Sequence, residues 1–108
     1  MDNDRVAVIE MFVAEAEEMV GRMEEAMLAL EGTPDYPGLV DGILRDARTI
    51  ERCAVSLRLT DLADVARGLA SVLERVRGGS LDVTTPVTTR LLSEIEAMRQ
   101  LLAADGGS

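Results

Sequence analysis

Apolar residues recur along most of the chain at the 3, 4 and 7 spacing of amphipathic helices, in four separate segments. The first segment predicts a helix from about Arg5 to Leu30, which Gly32 and Pro34 bring to an end. Three methionines lie on its apolar face beside Phe12, so we interpret them as core residues rather than as an adaptable binding surface. The predicted core positions of this helix are Ile9, Phe12, Val13, Ala16, Met19, Val20, Met23, Met27 and Leu30.

Turn and capping residues delimit three further helices, predicted over about 38–57, 61–77 and 86–103. Thr60 and Thr85 stand where N-caps are expected, and Pro86 follows as a first helical residue. No segment alternates polar and apolar residues for long enough to predict a strand. Four amphipathic helices with short connections favour an all-α, up-down-up-down four-helix bundle. We expect this bundle to span residues 1–103, with a disordered tail or linker at 104–108.

The composition agrees with a helical bundle and narrows the functional classes. Apolar residues make up 47% of the 108 residues but aromatics only 2%, so the core must be built from aliphatic side chains and methionine. The formal net charge of -9 argues against non-specific nucleic-acid binding, which requires a basic surface.

The location expected from the sequence is the cytoplasm. Cys53 is the only cysteine and cannot form an intramolecular disulfide, which is typical of a reducing compartment. The first ten residues lack the basic segment of a signal peptide, and no uninterrupted apolar run is long enough to cross a membrane.

The second helix has two contrasting faces. Viewed at about 100° per residue, three arginines, Arg45, Arg48 and Arg52, lie together on the side roughly opposite its apolar residues. The apolar side consists of Val40, Ile43, Ala47, Ile50, Ala54 and Leu57. We refer to Arg45, Arg48 and Arg52 as the arginine stripe.

The segment 47–59 of this helix resembles the histidine-containing phosphotransfer (HPt) domain, particularly the amino-terminal domain of CheA-type chemotaxis histidine kinases. Members of that family carry the pattern Ala-His-Thr-x-Lys-Gly-Ala/Ser-Ala-Gly-x-Leu-Gly-Phe, whose exposed histidine accepts and passes on a phosphoryl group. The positions that match the pattern are Ala47, Thr49, Ile50, Ala54 and Leu57. The resemblance implies the four-helix bundle of the family and a role in two-component signalling.

The chemistry implied by the family pattern is replaced at its central positions. Arg48 stands at the histidine position and Glu51 at the lysine position, and the three family glycines correspond to residues 52, 55 and 58, which are Arg, Val and Arg. The family also places a His-x-x-Glu pair on the third helix, where this chain has Arg67 and Ala70. The chain contains no histidine at all, so it has no residue that could carry phosphohistidine.

The resemblance with a replaced acceptor predicts a non-catalytic interaction module. The implied partners are a receiver domain, a histidine-kinase domain or another copy of the chain. The arginine stripe would be complementary to the carboxylates that line a receiver's phosphorylation pocket. Alternatively, the arginines form a solvated face with local pairs, Asp41 with Arg45 and Glu51 with Arg48. The whole domain has two alternatives, a purely structural dimerisation or scaffold module and, less favoured, a binder of apolar ligands.

Other enzymatic sites are not supported by the residues available. Di-metal bundles, zinc sites and Ser-His or Cys-His nucleophilic sites all use histidine or clusters of cysteine, which the chain lacks. Gly78-Gly79 is not followed by the Gly-Lys-Ser of a phosphate-binding loop. We therefore expect no enzymatic activity, no metal and no cofactor.

Overall fold

The computed structural model describes residues 2–32 and 37–106, which contain four helices. The helices are α1 (Asp2–Gly32), α2 (Pro37–Ser56), α3 (Thr60–Arg77) and α4 (Thr85–Gly106). No strand occurs within these ranges. The predicted all-α four-helix bundle is thereby confirmed.

Each helix packs against its two neighbours in a closed ring. α1 lies beside α2 and α4, and α3 lies beside α2 and α4, whereas no Cα atoms of diagonal helices come within 8 Å of each other in the described ranges. The bundle measures 47 × 21 × 20 Å. α2 is consequently flanked by α1 on one side and by α3 on the other, and this arrangement determines the surroundings of the arginine stripe.

The interior is built from the aliphatic and methionine side chains that the sequence predicts. Met23 and Met27 are fully buried, and Met19 packs against the core from its edge, so the methionine row is core as predicted. Ala47, Ile50 and Ala54 give α2 a fully buried face. The largest fully buried side chains are Met23, Met27, Leu30, Ile43, Ile50, Leu62, Leu69, Leu73, Leu91, Ile95, Met98 and Leu102.

α2 and α3 end in the same backbone arrangement with different residues. At the end of α2, Arg58 adopts a left-handed φ of 61°, and its N–H donates to the Val55 carbonyl at 3.1 Å. The next N–H, that of Leu59, donates to the Ala54 carbonyl at 2.8 Å, which completes a Schellman motif. Gly79 takes the equivalent place after α3, with a φ of 81°. The position of Arg58 is one at which the HPt pattern has glycine, the residue that adopts this conformation without strain.

The predicted N-caps of α3 and α4 are both wrong by one residue. The N-cap of α3 is Leu59, because the Schellman turn already points its carbonyl at the Ala63 N–H, 3.0 Å away. Its side chain makes no capping hydrogen bond. At α4 the cap is Thr84, whose Oγ1 accepts from the Val87 N–H at 3.4 Å. Since the first-turn N–H groups of a helix are unpaired, a proline there is compatible with either adjacent threonine as cap.

The outer helices are longer than the sequence predicts. α1 begins at Asp2 rather than at about Arg5, and α4 continues to Gly106 rather than ending at about Ala103. Residues 104–106, which were assigned to a tail, therefore continue the helix, and residues 107–108 lie outside the described ranges. The predicted loop between α1 and α2 also falls largely outside them, at residues 33–36.

Candidate functional site: the arginine face of α2

The arginine stripe lies on the surface of α2, opposite the buried face of the helix. Arg45 and Arg52 are exposed, whereas Arg48, between them, is half-buried. The difference arises because Arg48 leans towards α3 and the other two line the side that faces α1. The three arginines share one helix surface, but Arg48 faces α3 whereas Arg45 and Arg52 face α1.

Arg48 is held by two carboxylates, one on its own helix and one on α3. Its Nη1 donates to Glu51 Oε1 at 2.9 Å, and its Nη2 pairs with Glu74 Oε1. The local Arg48–Glu51 pair that the sequence predicts is therefore confirmed. The second partner fixes the guanidinium across the seam between α2 and α3.

Glu51 also receives a second guanidinium, from α3. Arg67 Nε donates to Glu51 Oε2 at 3.1 Å, and Arg67 Nη1 donates to Asp64 Oδ1 at 2.9 Å. With both oxygens engaged, the Glu51 side chain is only 16% exposed. We call Arg48, Glu51, Asp64, Arg67 and Glu74 the α2–α3 ion-pair network.

Three of the four positions singled out from the family pattern, Arg48, Glu51 and Arg67, are brought together in this network. The fourth, Ala70, is fully buried on α3, about one turn from both Arg67 and Glu74. Glu74 was missed by the sequence analysis. Its spacing of seven residues from Arg67 places both on one face of α3, a signal that could have identified it.

The network supplies hydrogen-bond donors and negative charge but no nitrogen nucleophile. A guanidinium stays protonated and has no lone pair with which to attack a phosphorus atom. The donors of Arg48 and Arg67 are directed at carboxylates rather than at an open cavity. The arrangement therefore holds α2 to α3.

Arg45 and Arg52 make no ion pair with any described residue. The local pair predicted between Asp41 and Arg45 is not formed. Asp41 Oδ1 instead lies 3.8 Å from Arg77 Nη1, at the end of α3, which the tertiary fold brings closer than the residue four positions along.

Arg45 lines a small cavity of about 150 Å³ between α1 and α2. The same cavity is lined by Arg22 and by Asp46, whose side chains approach to 3.4 Å between Nη2 and Oδ1. Asp46 is buried, so the guanidinium of Arg22 compensates a carboxylate that is removed from water. This pair was not anticipated from the sequence.

Arg52 borders a larger, mainly apolar groove of about 460 Å³ between the first half of α1 and the end of α2. Arg5 Nη2 donates to the carbonyl of Leu57, one of the lining residues, at 2.6 Å. Cys53 forms part of the wall and is partly buried, as expected for a small packed residue. We call this surface the α1–α2 groove, and its lining residues are Val8, Met11, Phe12, Glu15, Arg52, Cys53, Ser56 and Leu57.

Within residues 2–32 and 37–106, no cluster of three or more His, Cys, Asp or Glu side chains is arranged to hold a metal ion. None of the described helices combines the length and apolar character that crossing a bilayer requires.

The chain is similar in sequence to chemotaxis proteins and to a sensor histidine kinase. The chain is 31% identical to the sensor histidine kinase CheAY of Helicobacter pylori over 98% of its length and 13% of that protein. It is 31% identical to the chemotaxis protein CheA of Bacillus subtilis over 92% of its length, and 26% identical to that of Borreliella burgdorferi over 95%. The chain spans 12% to 15% of the length of these relatives.

Solved structures share the fold. The CheA phosphotransferase domain from Thermotoga maritima superposes with a TM-score of 0.83 at 18% identity, covering 89% of this chain and 92% of that one. A computationally redesigned four-helix bundle gives a TM-score of 0.88 at 12% identity over 93% and 98% of the two chains. The model of the Hpt domain family matches residues 7–101. With its fold, its relatives and the family model in agreement, the chain belongs to the Hpt domain family and is related to the phosphotransfer domains of CheA-type chemotaxis proteins.

Proposed function

We propose that this Hpt domain is a non-catalytic interaction module of a two-component or chemotaxis-like signalling system, which binds a receiver or histidine-kinase domain without carrying phosphate. One observation carries the proposal. The residue at the family's acceptor position is Arg48, in a chain without histidine, and its guanidinium is engaged by Glu51 and Glu74.

The residues around Arg48, and not only Arg48 itself, support the proposal that the domain does not carry phosphate. An incoming phosphoryl group is negatively charged and is stabilised by cationic or hydrogen-bond-donating neighbours. Here Glu51 and Glu74 place two carboxylates at the acceptor position, and the guanidiniums beside them are already paired. A phosphoryl donor would meet repulsion at this position rather than assistance.

In this proposal, the two unpaired arginines of the stripe, Arg45 and Arg52, bind the partner. Arg45 and Arg52 are exposed and have no carboxylate partner among the described residues, so their donors can pair with an acidic surface. The phosphorylation pocket of a receiver domain is lined by carboxylates and fits this requirement. On a chain of net charge -9, two such unpaired cations on one helix face are the feature best suited to an acidic partner.

The test combines phosphorylation and binding. Incubation with a CheA-type kinase domain and labelled ATP should leave no acid-labile, base-stable phosphate on the chain, and stoichiometric labelling would contradict the proposal. In titrations against a chemotaxis receiver domain, R45A/R52A should weaken binding by about 1–3 kcal/mol at low salt and by less at high salt.

The matched control is R75A, which removes an exposed, unpaired arginine from α3. It should leave receiver affinity unchanged. R75A removes one charge and R45A/R52A two, so a loss from R75A about half that of R45A/R52A would mean that only net charge matters. Identical affinities of wild type and R45A/R52A would remove the arginine stripe from the interface.

A further inference from the structure

The α1–α2 groove exposes apolar side chains beside an apolar recess. Met11 is 67% exposed and Val8 is 49% exposed, and both stand on the α1 wall of the groove. Phe12 and Leu57 contribute to its lining. The same small area therefore offers both a protruding apolar side chain and a concave apolar surface that could receive one.

The two walls of the groove carry opposite charges that are unsatisfied. Glu15 stands on the α1 wall and Arg52 on the α2 wall, and neither forms an ion pair within the described ranges. By contrast, Arg22 on α1 and Arg48 on α2 are each paired with a carboxylate. Each wall therefore lacks the charge that the opposite wall presents.

We propose that the α1–α2 groove binds the same groove of a second copy of this chain, in a two-fold symmetric dimer. Met11 of each copy enters the recess of the other, and Arg52 of each copy pairs with Glu15 of the other. The proposal does not rest on the proposed signalling function, because it uses only the shape and charge of this surface.

Self-complementarity is the reason for choosing a second copy as the occupant. A two-fold interface brings a surface against itself, so every protrusion needs a recess and every charge its opposite within the same patch. The α1–α2 groove satisfies both conditions with one glutamate and one arginine on facing walls. Because the remainder of the chain is strongly acidic, a patch whose charges balance is also where two copies repel each other least.

The size of the patch predicts a weak association. The wall from Val8 to Glu15 covers about 10 Å of helix at 1.5 Å per residue. A stable interface of standard size buries about 800 Å² on each partner, more than this groove alone provides. The dimer should therefore form in a concentration-dependent manner rather than be permanent.

Sedimentation velocity from about 10 µM to about 1 mM tests the proposal by charge reversal. Wild type should show a rising weight-average mass. R52E and E15R should each raise the dimer dissociation constant at least about tenfold, because each places like charges opposite one another twice in the symmetric interface. The double variant E15R/R52E should restore association to near the wild-type value.

Two controls make the same charge changes outside the groove. E17R lies on the opposite side of α1 from Glu15, and R75E lies on α3, and neither should alter the dissociation constant. Circular dichroism establishes that every variant is folded. A monomer at all concentrations, or a dimer that E15R/R52E fails to restore, would overturn the proposal. E15R leaves the arginine stripe intact, so its effect on dimerisation is separable from receiver binding.

Discussion

The arginines on the two sides of α2 have opposite surroundings. On the α3 side, Arg48 is paired with Glu51 and Glu74 in a seam of five charged residues. On the α1 side, Arg52 stands one turn further along, at the edge of an open apolar groove with no paired carboxylate. One turn of helix therefore separates an arginine that joins two helices from one that is available to a partner.

The neighbouring helix, rather than α2 itself, causes the difference. α3 presents Arg67 and Glu74 on the face that meets α2, whereas the facing part of α1 presents Val8, Met11 and Glu15. Residues of one type on one helix face therefore need not share a function. Which member is structural depends on the charges that the adjacent elements supply.

The largest expected effect comes from converting the α3 side to the family pattern. Arg48→His alone should yield no measurable phosphotransfer from a CheA-type kinase domain, because Glu51 and Glu74 remain beside the new acceptor. The combination R48H/E51K/R67H/A70E should exceed the single variant at least about tenfold, since it exchanges the Glu51 carboxylate for a cationic donor and supplies the His-x-x-Glu pair of the family pattern on α3. Acid-labile labelling over time measures both rates.

The fold of both variants has to be verified in the same experiment, because Ala70 is fully buried and a glutamate there must reach out of the core. Equal labelling rates in two folded variants would show that the residues around position 48 do not control transfer, and the contrast between the two sides of α2 would lose its functional meaning.

A smaller effect is expected when the network loses its shared carboxylate. Glu51→Gln should lower the free energy of unfolding by about 1–2 kcal/mol, because it removes the negative charge and turns one of the two accepting oxygens into an NH2 donor that faces a guanidinium, at a site largely shielded from water. Urea denaturation followed by circular dichroism provides the value.

Asp41→Asn is the matched control, since it removes the same charge from a pair with Arg77 in which both side chains are well exposed. It should change the free energy of unfolding by no more than about 0.5 kcal/mol. Similar losses for the two variants would mean that the α2–α3 ion-pair network is no stronger than an ordinary surface pair.

The smallest change in stability is expected at Arg58, in the turn that ends α2. Arg58 adopts a left-handed φ, so Arg58→Gly should raise the free energy of unfolding by about 1 kcal/mol without altering any ion pair. Gly79→Ala at the equivalent turn after α3 should lower it by a similar amount. Thermal or urea unfolding distinguishes the two signs, and a loss on Arg58→Gly would show that the arginine side chain makes a compensating contact.

Periodicity was sufficient to predict the bundle and its core because burial repeats every three or four residues in each helix. Met23, Met27 and Ile50 were placed correctly for this reason. Periodicity does not distinguish the possible N-caps of α4, since Thr84 and Thr85 are chemically equivalent and only the backbone decides between them. The resemblance to the HPt pattern singles out Arg48, Glu51 and Arg67, which the fold brings together.

Pairs between helices could not be read from spacing along one helix. Asp41 was assigned to Arg45 because they are four residues apart, but the fold gives it Arg77. The Arg22–Asp46 pair was missed for the same reason, because its two residues are 24 positions apart. The α1–α2 groove depends on how far two helices diverge, a quantity that a pattern of apolar residues does not contain.

The hydrogen bond from Arg5 to the Leu57 carbonyl has a practical consequence for where this domain should be cut. The family model begins at residue 7 and ends at 101, whereas α1 begins at Asp2 and α4 ends at Gly106. A fragment trimmed to the family limits would lose the guanidinium that covers the carbonyl end of α2 and the last turn of α4. Boundaries drawn from sequence similarity would leave the carbonyl of Leu57, a residue that lines the α1–α2 groove, without this donor, and binding measured on such a fragment would describe an altered surface.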